Sequence, residues 1–174
     1  MAVWMERSTL DADDVEAIIH DSYDDIYRYC FWKTKSSMDA QDITQETFLR
    51  FVRNLADYSE RGKPKALLYT IARNLCFNWL RQSKTVPFEE IDNSVFDIPS
   101  SNALDKLADR ITLQQYIDEL PPEQREVIFL RYGQELQVNE ISSIMGITRF
   151  SVMYRIRNAL STLKKKIGKG GSVF

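Results

Sequence analysis

Residues 137–167 read QVNEISSIMGITRFSVMYRIRNALSTLKKKI, and this stretch decides the fold class. Ile141 and Met145 form the apolar edge of a short helix, Gly146 permits a sharp turn, and Ile147 plugs the junction. Thr148 is placed to cap a second helix that starts at Arg149. At about 100° per residue, Val152, Ile156, Ala159, Leu160, Leu163 and Ile167 share one side of that helix, the expected core side. Phe150, Tyr154, Arg157, Asn158, Ser161 and Lys165 face the other way, with Arg149, Ser151 and Arg155 flanking the N-terminal end. Glycine, plug and stripe agree on a helix-turn-helix, whose second helix enters a DNA major groove. A helical hairpin with only a packing role is the alternative. Lys164, Lys165 and Lys166 close the helix, where cations suit both its C-terminal dipole and a phosphate.

Outward from this stretch, apolar residues recur at three and four, and strict alternation is absent, so the expectation is all-α. Helices are expected at roughly 13–35, 39–56, 64–83, 103–119, 122–132, 137–145 and 149–167. KTVPFEEIDNSVFDIPSSN, from Lys84 to Asn102, breaks the period with two prolines and four carboxylates. The organisation read from this is a first helical domain over residues 1–84, a flexible acidic linker over 85–102, and a second helical domain over 103–174.

Charge supports the division. The net charge is only −2, but residues 1–60 carry 6 basic and 13 acidic side chains, and residues 61–86 carry 6 and 0. Residues 87–123 carry 2 and 9, and residues 124–174 carry 9 and 3. Local cation clusters attract a phosphate backbone whatever the total, so two basic segments point toward nucleic acid; two solvated basic faces are the alternative.

In the first half, PKALLYTIARNLCFNWLRQSK opens on Pro64, which suits a first helical turn. Leu68, Ile71, Ala72, Leu75, Cys76 and Trp79 gather on one side; Thr70, Arg73, Asn74, Phe77, Arg81 and Lys84 lie opposite. An aromatic among exposed cations is a stacking platform for unpaired bases. The loop DYSERGKP before it, with Tyr58, Arg61 and Lys63, is of a kind that pockets an extruded base. MDAQDITQETFLRFVRNL is expected to be capped by Asp39 or Asp42 and to turn Ile43, Phe48, Val52 and Leu55 inward. Its outer side, Asp42, Gln45, Glu46, Leu49, Arg50 and Arg53, is a mixed surface able to dock a protein helix.

Several classes are excluded. The longest apolar runs fall far short of the roughly 20 residues that cross a bilayer, so no membrane insertion is expected. The start MAVWMERSTLDADD does not read as a secretory signal, so the chain is expected in the cytoplasm. Cys30, Cys76 and the single histidine, His20, make no metal-ligand spacing, and the cysteines read as buried reduced hydrophobes. With no nucleophile elbow and no phosphate-binding glycine loop, neither an enzyme nor a cofactor is expected.

Taken together the segments resemble a small sigma factor of the extracytoplasmic-function (ECF) group of the sigma-70 family, over about residues 15–83 and 103–167. DAQDITQETF is similar to the family's polymerase-binding run at Ala40, Asp42, Gln45, Glu46 and Phe48. ALLYTIARNLCFNWLRQ is similar to the promoter-melting helix at Leu68, Ile71, Ala72, Arg73, Asn74 and Arg81, with Leu67 in place of tryptophan and Asn78 in place of aspartate. The minus-35 pattern is matched at Leu120, Pro121, Arg125, Leu130, Arg131, Tyr132, Glu140, Ile141, Gly146 and Ile147, with Ser142 in place of alanine. Phe150 and Met153 stand where the family often has polar or basic groups.

The resemblance implies a protein that binds core RNA polymerase and promoter DNA and uses no small-molecule substrate. Asp42, Gln45, Glu46, Leu49 and Arg50 would engage the polymerase. Tyr58, Arg61, Lys63, Arg73, Asn74, Phe77, Asn78 and Arg81 would hold the opened minus-10 strand. Arg149, Phe150, Ser151, Met153, Tyr154, Arg155, Arg157 and Asn158 would read the minus-35 element. An anti-sigma factor, often membrane-bound, is implied as a further partner. Two rival readings are a helix-turn-helix repressor or activator that needs no polymerase, and a recombinase, which would require a nucleophile among clustered arginines.

Overall fold

The structure, a computed structural model, describes residues 10–55, 64–83 and 105–170, with side chains from residue 112 to 168 in the last segment. Every regular element among them is helical, and the chain divides into two units, Met1–Asp92 and Asn93–Phe174. The tether expected over 85–102 and the loop residues Tyr58, Arg61 and Lys63 lie outside the described residues.

The first unit is a three-helix bundle of α1 (Ala12–Thr34), α2 (Ser37–Arg53) and α3 (Pro64–Ser83). Asp11 caps α1, accepting from the Asp14 amide at 2.8 Å, while the Asp14 carboxylate accepts from the Asp11 amide at 3.3 Å. Lys35 ends the helix in the left-handed region at φ 55°. Ser36 follows at once and caps α2 by accepting from the Asp39 amide. The cap therefore sits before Asp39, not at Asp39 or Asp42, because α1 stops where it does. Asp39 instead lies in the first turn, where its charge meets the helix dipole.

Ile26, Tyr29 and Cys30 of α1, Phe51 of α2, and Leu68, Tyr69, Ala72 and Cys76 of α3 make the core. Tyr29 and Tyr69 meet edge to face, their ring centres 5.4 Å apart. Burial and the Asp25 charge raise the Tyr69 phenol well above its ordinary range, which keeps it neutral. Both cysteines are buried, and a hydrogen bond with Cys76 holds the Cys30 thiol below its ordinary range, against the effect of burial. The expected inward stripe of α2 holds at Ile43 and Phe48, but Val52 is exposed and Leu55 half-buried, and Thr44, Thr47 and Phe51 complete the interior. The threonine hydroxyls donate to the carbonyls of Ala40 at 2.6 Å and Ile43 at 2.7 Å, so neither is buried unsatisfied.

The second unit holds α4 (Asp105–Asp118), α5 (Pro122–Ile128), a π-helical turn over Phe129–Gly133, α6 (Val138–Met145) and α7 (Arg149–Gly170). Leu120, Val127, Leu130, Ile141 and Val152 are its largest fully buried side chains. Arg125 ties the units of secondary structure together by donating from Nη2 to the carbonyls of Asp118 and Leu120 at the end of α4. Arg131 does the same for the loop after the π turn, donating to the Leu136 carbonyl at 2.9 Å.

Gly146 ends α6 at φ 64°, the conformation the turn requires. Ser142, which departs from the alanine of the family pattern, donates to the Ile147 carbonyl at 2.6 Å and braces that turn. Nothing lies within 4 Å of a Cβ built on Gly146, so a substitution there is opposed by backbone conformation alone. Gly146→Ala is expected to destabilise the second unit by about 1 kcal/mol, a midpoint loss of roughly 4–8 °C. Gly146→Asn is expected to recover most of it, and calorimetry of the full chain measures both.

Candidate functional site

Three exposed helix faces carry the sequence-derived residues. On α3 the buried arc of Leu68, Tyr69, Ala72 and Cys76 fixes the rotation of the helix and turns Asn74, Phe77, Asn78 and Arg81 to solvent. Phe77 is 63% exposed, which leaves a ring face open beside the exposed Asn74 and Arg81. Arg81 donates to Asn78 Oδ1 at 3.4 Å, so its guanidinium lies along the same face. Arg73 is half-buried. Leu80, missed by the sequence reading, is exposed at the edge of this face.

On α2 the exposed arc is centred on Asp42, Gln45 and Leu49, opposite Ala40, Thr47 and Phe51. Arg50 Nε donates to Glu46 Oε1 at 2.6 Å, an i,i+4 pair. Leu49, 52% exposed, has the exposed Met38 and Val52 on its own face of the helix. Met38 was not among the expected surface residues and Val52 was expected inside, yet both fall within about 60° of Leu49 at 100° per residue. An apolar centre in a polar rim suits a protein partner.

On α7 the Thr148 hydroxyl accepts from the Ser151 amide at 3.1 Å, as its position suggested. Val152, Ala159 and Leu163 are buried. The expected core side is narrower than the wheel implied: Leu160, about 80° from Val152, is exposed, and so is Ile167, one turn beyond Leu163. Phe150, Met153, Tyr154 and Arg157 stand in solvent, with Asn158 and Ser151 half-buried at the margin. Arg149 Nη1 donates to Asn139 Oδ1 of α6 at 3.2 Å. Arg155, expected on the same surface, pairs with Glu123 of α5 at 2.9 Å. Lys166 likewise pairs with Glu119 and lies over the Tyr116 ring.

Residues 18–85 match the family model for Sigma-70 region 2, and residues 110–163 match that for Sigma-70, region 4. The chain is 31% identical over 144 residues to the ECF RNA polymerase sigma factor SigM of Bacillus subtilis, covering 80% of this chain and 88% of that one. The chain belongs to the ECF sigma factors of the sigma-70 family. This sigma factor is also similar to the RNA polymerase sigma factor YlaC of Bacillus subtilis, at 29% identity over 90% of this chain and 94% of that one. Its fold is that of the sigma factor RpoE of Bartonella quintana, solved with the anti-sigma factor NepR, with TM-score 0.71, 18% identity, and 90% and 98% of the two chains covered.

As a sigma factor the protein binds core RNA polymerase and directs initiation at promoters; sigma factors are initiation factors rather than catalysts. The region 2 match covers most of α1 and all of α2 and α3, and the region 4 match runs from within α4 through α5 and α6 to most of α7. Among the described residues no helix is long and apolar enough to cross a membrane, and no group of His, Cys, Asp or Glu could hold a metal ion.

Proposed function

We propose that the three faces divide the work of initiation. The α2 face around Asp42, Gln45, Glu46, Leu49 and Arg50, extended by Met38 and Val52, docks on core polymerase. The α3 face of Arg73, Asn74, Phe77, Asn78 and Arg81, with Tyr58, Arg61 and Lys63, holds the unpaired minus-10 strand. The N-terminal half of α7 reads the minus-35 duplex. The observation that carries this reading is Phe77, an aromatic ring more than half exposed among amides and a guanidinium on a helix whose other side is sealed. Such a ring stabilises an unstacked base by about 1–3 kcal/mol, comparable with the few kcal/mol that unstacking costs. Strand opening is therefore driven by capture, without hydrolysis.

Two readers, each weak alone, make promoter choice depend on simultaneous engagement. An anti-sigma factor restrains the protein in the cytoplasm and, where that partner is membrane-bound, holds it there. The support is that RpoE was solved with NepR, and CnrH, of TM-score 0.66 to this chain, with the cytosolic domain of CnrY. The test is run-off transcription on genomic DNA with core polymerase and the full chain, followed by start-site mapping. Initiation is expected at a limited set of sites sharing two elements at fixed spacing. Start sites no different from those of core polymerase alone would defeat the proposal.

A further inference from the structure

The part of α7 that stands furthest from the core is apolar at its N-terminal end. Phe150, Met153 and Tyr154 are 78%, 50% and 57% exposed. At 100° per residue they fall within about 100° of arc, with Arg157 between them. The rest of the helix is a cationic frame: α7 holds seven Lys or Arg residues between Arg149 and Gly170 and no Asp or Glu. That frame favours a polyanion over an apolar protein helix. Arg149 is steadied by Asn139 beside this end, and Arg155 pairs with Glu123.

A phenylalanine or methionine cannot read the donors and acceptors of a base edge. What an apolar side chain can read in the major groove is the 5-methyl group of thymine. We propose that Phe150 and Met153 select thymine in the minus-35 element by packing on that methyl group, and that Arg149 and Arg157 hold the helix against the flanking backbone or base edges. The inference rests on α7 being the minus-35 reader and names the base feature the reader takes. It also separates the two kinds of contact on one helix: the apolar pair sets preference, and the cations set salt-dependent affinity.

The test uses holoenzyme assembled from core polymerase and the full chain. The probe is a duplex carrying the strongest promoter found by the run-off mapping above. Each thymidine of its minus-35 element, on either strand, is replaced singly by deoxyuridine, which removes one methyl group and leaves base pairing unchanged. At the contacted positions affinity is expected to fall about fourfold, which corresponds to about 0.8 kcal/mol per methyl. In Phe150→Ala or Met153→Ala holoenzyme the thymidine duplex is expected to bind more weakly, and deoxyuridine to cause no further loss at the matching position. Both side chains are exposed, so neither variant disturbs the core.

Deoxyuridine without effect on the unaltered protein, while exchange of T·A for G·C pairs still weakens binding, overturns the methyl reading and leaves α7 as the minus-35 reader. If base-pair exchange also has no effect, the assignment of α7 has failed as well. A methyl effect that survives both variants assigns it to another group and overturns the proposal. So does unchanged DNA binding by both variants, which leaves the apolar end as a surface for a protein partner.

Discussion

Phe77→Ala combined with Arg81→Ala is expected to lower the yield of open promoter complexes by about thirtyfold or more, with core-polymerase binding retained. The two side chains share one exposed face of α3, and neither contributes to the bundle core. Removing the ring costs a captured base about 1–3 kcal/mol, and losing the guanidinium removes a charge that accompanies the strand. About 2 kcal/mol in total corresponds to the thirtyfold lower limit. The closed complex should persist, because the α2 and α7 faces are untouched. Permanganate reactivity of thymines in the melted region measures the effect, and normal reactivity in the double variant would remove α3 as the strand-capturing surface. The single variants separate the contributions: Phe77→Tyr keeps a ring and should retain most activity, whereas Arg81→Lys keeps only the charge.

Leu49→Asp is expected to have the larger effect on holoenzyme assembly, weakening retention on core polymerase by about thirtyfold, or about 2 kcal/mol. Leu49 lies at the centre of the α2 face with Met38 and Val52 on the same side, so a carboxylate there would be desolvated without a partner on docking. It would also stand three residues after Glu46, adding a like charge beside one already paired with Arg50. The substitution is on an exposed position, so the bundle itself should melt nearly as before. Competitive binding to core polymerase against a labelled reference sigma factor measures the change. Unimpaired competition by Leu49→Asp would detach the polymerase from this face. Gln45→Ala with Glu46→Ala is a weaker perturbation, because losing Glu46 frees Arg50 instead of introducing a buried charge.

How much of this was legible depended on the range of the interaction involved. The start of α3 at Pro64 and the capping of α7 by Thr148 came directly from the sequence, since each is settled within one helical turn. The cap of α2 was misplaced by three or more residues because Ser36 acts only where α1 has already ended, in the left-handed residue Lys35. Val52 was placed inward because it is apolar and fits a helical period. Thr44 and Thr47 took the interior instead, which is possible because each hydroxyl is satisfied by its own helix. No wheel distinguishes these cases without knowing where α1 and α3 lie.

The chemistry of the surfaces divides in the same way. Local periodicity, turn chemistry and composition are enough to establish the helical class, the helix-turn-helix at Gly146 and the segregation of cations into two segments. Which of those cations form ion pairs is set by packing between helices far apart in the chain. Arg155 pairs with Glu123, and Lys166 with Glu119, 47 residues away. Tertiary packing also left Met38 and Val52 exposed on the same helix face as Leu49. The physical reason is that a side chain's exposure and its ionic partner are set by the neighbouring helices, and their distance along the chain leaves no trace in the local pattern.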